Sequence, residues 1–92
     1  MYKILPYSFE QAKKLNVLIL PSTKSKYKID VYSKDLNYIC SIGDKNYLDY
    51  PTYIKEYGLE YANIRRKLYK KRHESDRNKI GTCGYFADKI LW

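Results

Sequence analysis

The sequence predicts a small α+β domain: an antiparallel β-hairpin or sheet packed against a long basic amphipathic helix, with short N- and C-terminal helices. Three observations carry this. Tyr27, Ile29 and Val31 alternate with Lys28, Asp30 and Tyr32, the period of a strand with two unlike faces, and residues 38–42 supply a return strand. Residues 59–74 space their apolar side chains at helical intervals among charges. Ninety-two residues suffice for one core that withdraws roughly 60–70% of the unfolded surface from water, so residues 1–92 form a single domain.

The elements follow in order. Ser8-Phe9-Glu10-Gln11 has the Ser-x-x-Gln form of a capping box and predicts a short helix over 8–15, closed by Asn16. Val17-Leu18-Ile19-Leu20 reads as a buried strand stopped by Pro21. Residues 22–26 are a polar loop. Strands over 27–33 and 38–42 flank the turn residues Lys34-Asp35-Leu36-Asn37, and the hairpin ends at Gly43-Asp44. Pro51 suits the first turn of a helix over 52–57, with Gly58 as its stop. A longer helix spans 59–74. Residues 78–84, with Gly81 and Gly84, form a loop, and 85–92 form a terminal helical turn or two.

Charge concentrates late in the chain. The formal charge is +8, and all four arginines lie between Arg65 and Arg77. Residues 65–79 hold eight lysines and arginines against Glu74 and Asp76. Such a patch suits phosphates, anionic headgroups or an acidic protein surface. Arginine is a planar fork that grips carboxylates and phosphates with two bonds and stacks on rings, so its confinement to one window marks the candidate binding surface.

At 100° per residue, Tyr57, Tyr61, Ile64 and Leu68 fall on one stripe, expected to pack on the hairpin. Arg66, Lys67 and Lys70 then face outward, with His73 nearby. Tyr69 has Arg65, Arg66, Arg72 and His73 as its helical neighbours. The candidate partner- or phosphate-binding residues are therefore Arg65, Arg66, Lys67, Tyr69, Lys70, Lys71, Arg72 and His73. Two arrangements fit them. In one, the cations await an anion from outside, a phosphate or a partner's acidic side chain. In the other, Asp49, Glu56 or Asp88 neutralises them and their stems cover Tyr69.

The remaining signals are weaker. His73 lacks a nucleophile partner and reads as a structural hydrogen-bonding residue. Gly81-Thr82-Cys83-Gly84 reads as a tight turn with a small buried cysteine, against a backbone-amide nest that binds anions. Trp92 is expected to dock into the core. Cys40 and Cys83 lack metal-ligand spacing, and no cofactor is expected. The longest strongly apolar run, residues 17–20, falls far short of the roughly 20 residues of a membrane helix. With no apolar leader, the expectation is an intracellular, soluble protein with reduced thiols.

Several stretches together resemble a family of small basic proteins encoded by large DNA viruses of algae and protists. They include Lys28-Ile29-Asp30-Val31-Tyr32, Asp49-Tyr50-Pro51-Thr52-Tyr53, Arg65-Arg66-x-x-Tyr69-x-x-Arg72-His73 and Gly84-Tyr85-x-Ala87-Asp88-x-Ile90-Leu91-Trp92. The resemblance runs from about residue 8 onward, and its most specific parts are the Arg-Arg/Tyr/Arg-His core and the Leu-Trp ending. It implies a viral origin, with replication in cytoplasmic factories of the host. It transfers no activity, cofactor or catalytic residue. Thr82-Cys83 departs from the Gly-Ser or Gly-Ala expected of the family before Gly84-Tyr85.

Enzymatic function is not expected: the ten acidic residues are scattered, without the paired carboxylates of metal-dependent phosphoryl chemistry. The expected function is a non-enzymatic structural component of a virus particle, a minor capsid or cement-type protein contacting acidic surfaces of capsid subunits. Tyrosine and arginine, the residues enriched at interfaces, support it. The alternative is sequence-nonspecific nucleic-acid binding through the basic helix 59–74. Expected partners are thus viral capsid proteins or nucleic acid, with no small-molecule substrate and no transmembrane segment.

Overall fold

Pro6, not Ser8, starts the first helix. In the computed structural model, which describes residues 2–92, helix α1 runs Pro6–Lys14 from an extended Leu5 with no side-chain cap. Proline's fixed φ and missing N–H fit a first helical position, so the expected capping box is not used. Ser8 is instead buried and donates to the Ile90 carbonyl at 2.9 Å, tying the two ends of the chain together. Asn16 does close the helix. At φ 62 it turns left-handed, and the Asn16 and Val17 amides reach back to the carbonyls of Lys13 and Ala12.

Strands β1 (Leu18–Pro21), β2 (Tyr27–Tyr32) and β3 (Tyr38–Asp44) form one antiparallel sheet in the order β1-β2-β3. Pro21 does not stop β1 but belongs to it, opposite Ile29, which is tolerable because β1 is an edge strand. That edge position also corrects the expectation of a buried strand: Ile19 is buried, whereas Leu18 and Leu20 face solvent. Across β2 and β3 the register sets Ile29 against Ile42 and Val31 against Cys40, and these four residues form one buried face. Lys28 and Asp30, on the other parity, are buried too and hold polar partners: Lys28 pairs with Asp49 and Asp30 accepts from Ser41.

Asp49 caps helix α2 (Tyr50–Tyr57) by accepting from the Thr52 amide at 3.0 Å, with Pro51 in the first turn. Gly58, at φ 95, ends α2 and starts α3 (Leu59–Arg72) as an elbow that a β-carbon would strain. Glu60 in the first turn of α3 and Lys70, Lys71 and Arg72 in its last turn match the helix dipole. Thr82 caps α4 (Cys83–Leu91), a fuller helix than the turn or two expected.

The packing departs from expectation at one decisive point. The sheet is covered by α4 and α1: Phe86, Ile90, Leu91 and Ala12 meet Ile19, Ile29, Val31, Cys40 and Ile42. Helix α3 packs mainly on α2, where Tyr50, Tyr53 and Ala62 make a second small cluster. Two helices compete for one sheet face, and the branched aliphatic surface of α4 removes more apolar area from water than the single buried residue of α3, Ala62. Trp92 packs against both clusters and joins them.

Candidate functional site

Helix α3 is turned about its axis relative to the sequence expectation. The stripe expected to be core faces water: Tyr57 is 62% exposed, Tyr61 43%, Ile64 58% and Leu68 49%. The inward side carries Ala62, Arg65, Arg66, Tyr69 and Lys70, all buried or half-buried. Ala62 explains the rotation, because a methyl side chain lets α3 approach α2 closely while longer side chains reach around it.

The arginines do not cage Tyr69. Arg66 lies over the Tyr50 ring at 4.7 Å and Arg65 over the Tyr53 ring at 5.5 Å, both on α2. The Nε of each is buried without an acceptor among the described residues, so these guanidiniums act through ring contact. Tyr69 is instead sandwiched between Trp92, at 4.3 Å and 6° from parallel, and His73, also at 4.3 Å and tilted 30°. Burial pushes its phenol up to about 12, Asp88 and Asp76 push the same way, and Arg72 opposes them.

Lys70 also turns inward. Its ammonium meets Asp88 Oδ1 at 2.8 Å, and Asp88 is fully buried. Arg77 and Lys89 approach Asp88 Oδ2 at 3.8 Å, completing a buried carboxylate ringed by three cations. Burial lowers the pKa of Lys70, with the Asp88 contact opposing. The internal arrangement therefore holds for part of the window and through a different cation set. Asp88 takes Lys70 and Arg77, Asp49 takes Lys28 at 3.0 Å and the Tyr2 hydroxyl at 2.6 Å, and Glu56 forms no ion pair among the described residues.

Lys67, Lys71 and Arg72 remain exposed and make no ion pair among the described residues. With the apolar stripe they form a continuous outer face on α3. His73, expected to be structural, stacks on Tyr69 and places Nδ1 3.6 Å from Asp76. A cavity of about 500 Å³ opens beside this stack, lined by Lys28, Asp49, Tyr69, Arg72, His73 and Trp92 among others. It gathers three of the eight sequence-predicted residues; Arg65, Arg66, Lys67, Lys70 and Lys71 lie outside it.

Asp88, one of the three acids expected to neutralise the window, and Trp92, expected to dock into the core, organise the site through Lys70 and Tyr69, pairings that the sequence reading does not specify. The sequence signal is that Asp88 is the only acid in Tyr85-Phe86-Ala87-Asp88-Lys89-Ile90-Leu91-Trp92, and a carboxylate among core-forming side chains needs a partner. The turn reading of Gly81-Thr82-Cys83-Gly84 is corrected in two respects: Cys83 is exposed rather than buried, and Cys83 and Gly84 belong to α4. Among the described residues no three His, Cys, Asp or Glu side chains converge to hold a metal ion, and no helix is long and apolar enough to cross a membrane.

No family model, no curated protein and no solved structure matches this chain.

Proposed function

We propose that the protein is a non-enzymatic docking component of a large DNA virus particle, a minor capsid or cement-type protein that seats α3 on capsid subunits. One observation carries this reading: Tyr57 at the end of α2, whose ring packs with Tyr61 and Tyr53, and Tyr61, Ile64 and Leu68 of α3 form an exposed apolar stripe bordered by Lys67, Lys71 and Arg72, which make no ion pair among the described residues. Exposed apolar runs rimmed by charge mark protein contacts, and tyrosine and arginine are enriched among the residues that carry the energy of such contacts. Docking that covers Ile64 and Leu68 contributes on the order of 1 kcal/mol each, since about half of each is already withdrawn from water. The surface that fits is an apolar groove with an acidic rim, and an acidic side chain from it has room beside Arg72 and His73 in the cavity. Particle membership comes from the resemblance to viral proteins, and with it assembly in the host cytoplasm and residence in the virion.

Nucleic-acid binding is the second reading, favoured by the same three cations. On α3, phosphates would meet only Lys67, Lys71 and Arg72, because Arg66 and Lys70 turn inward, and that contact leaves Ile64 and Leu68 without a role. Quantitative proteomics of purified virions separates the two. The particle reading expects copies in fixed ratio to the shell protein; absence from the particle ends it. Nucleic-acid binding expects affinity that falls steeply between about 50 and 200 mM salt, with a slope flattened by Lys67→Ala plus Lys71→Ala.

A further inference from the structure

The cavity of about 500 Å³ beside the Tyr69 stack lies where the last turn of α3, the end of α4, the start of β2, the end of β3 and the 45–49 loop meet. Small-ligand sites occupy roughly 300–1,000 Å³. Its floor is tightly packed. Gly43, at φ 80, lies so close to Leu91 and Lys28 that an added β-carbon would stand 2.7 Å from Leu91 Cδ1. Lys28 is 5% exposed and is pinned to Asp49 at 3.0 Å. A floor built this way is in place before any ligand arrives.

The acids of this cavity are satisfied within the chain, and its cations are not. Asp49 accepts from the Thr52 amide, the Lys28 ammonium and the Tyr2 hydroxyl. Asp44 Oδ1 accepts from the Asn46 amide at 2.8 Å. A lysine ammonium carries three N–H donors, and Asp49 is the one hydrogen-bond acceptor Lys28 meets among the described residues. Arg72 makes no ion pair among them. Unused donors on a buried ammonium and an unpaired guanidinium beside it favour an occupant that accepts hydrogen bonds and carries negative charge. The rim is apolar. Tyr47 is 68% exposed and pairs with no other ring among the described residues, and Leu48 next to it is exposed as well. A ring with uncovered faces is a stacking surface.

We propose that this cavity binds a small aromatic anion, a planar ring bearing a carboxylate or phosphate, with Arg72 and Lys28 holding the anionic group and Tyr47 and Trp92 meeting the ring. A neutral ring leaves the donors unused, and an inorganic anion leaves the apolar rim wet, so the lining calls for both halves in one molecule. Nucleoside monophosphates and aromatic carboxylic acids share this chemistry. The site stands apart from the proposed docking stripe, because Tyr61, Ile64 and Leu68 do not line it.

Trp92 is the chain's single tryptophan, so its emission reports on the cavity directly. The test titrates the full chain with adenosine monophosphate, phenylacetate, adenosine and inorganic phosphate. At least one of the two aromatic anions should change that emission saturably with a Kd below about 1 mM, and which of them does so tells a nucleotide from an aromatic acid. Adenosine and phosphate should each bind at least about tenfold more weakly. Amide shifts in the NMR spectrum on binding should centre on residues 43–49, 69–73 and 87–92. Arg72→Met and Tyr47→Ser, both at exposed positions, should leave Tm unchanged and weaken binding, by about tenfold or more for the first and about threefold for the second. The proposal is wrong if neither aromatic anion gives a saturable change up to about 10 mM, if phosphate or adenosine alone binds as tightly, or if Arg72→Met keeps the full affinity. Virions play no part in this experiment, so its failure leaves the docking of α3 standing.

Discussion

Removing the Asp88 carboxylate tests how the fold holds α3. Asp88 is fully buried, contacts the Lys70 ammonium at 2.8 Å and has Arg77 and Lys89 at 3.8 Å. Asp88→Ala leaves those cations facing a desolvated site without their counter-charge. Breaking a buried pair from one side costs about 3–5 kcal/mol, much of it the stranded partner. The Lys70 and Arg77 side chains are each 25% exposed, so both can turn toward water and recover part of that. The expected cost is therefore about 2–3 kcal/mol. Urea denaturation reads it as a lower midpoint at constant slope. Lys70→Met alone should cost less, and the double variant should cost clearly less than the two singles together, because it strands one charge fewer. A loss below about 0.5 kcal/mol for Asp88→Ala, or strict additivity in the double variant, would refute the claim that this ion cluster seats α3 on α4.

Two further expectations follow from the same core. Tyr69→Ala removes a ring stacked at 4.3 Å on both Trp92 and His73 and should cost about 3 kcal/mol or more; under about 1 kcal/mol would mean the ring is not structural. Alkaline pH should destabilise the protein. Burial raises the phenols of Tyr2, Tyr7 and Tyr69 and the thiol of Cys40 above their ordinary values of 10.0 and 9.0, so the folded state holds these protons more tightly. Their contribution is intact below about pH 9 and lost as pH climbs toward 12, with the lowered Lys70 pKa opposing as a single group. Denaturation midpoints should fall between about pH 8 and pH 11, and a flat or rising profile would contradict these burials.

Local signals in the sequence located the elements better than they assigned their faces. The period-2 run at 27–33 and the turn after it gave β2 and β3 directly, and Gly58 marked the elbow between α2 and α3. Asn16 closed α1 as its left-handed tolerance suggests. The helical wheel of α3 failed because it ranks angles by hydrophobicity and knows nothing of rival helices. It gave Ile64 and Leu68 to the core. The sheet, however, was taken by Phe86, Ile90 and Leu91, and α3 was left with α2, whose tyrosine rings take the guanidinium groups of Arg65 and Arg66. The basic window split accordingly: Arg65, Arg66 and Lys70 became packing residues, while Lys67, Lys71 and Arg72 stay exposed and make no ion pair among the described residues. Only the long-range partners Asp88 and Trp92 settle that division, and spacing within one helix carries no trace of them.

The double substitution Ile64→Glu/Leu68→Glu tests the outward apolar stripe of α3 most directly. Both side chains are about half exposed, so the urea midpoint should move by no more than about 0.5 kcal/mol in stability while, on the proposed particle reading, incorporation into virions is lost. A fall of several kcal/mol, or incorporation at the level of the unaltered protein, would contradict it.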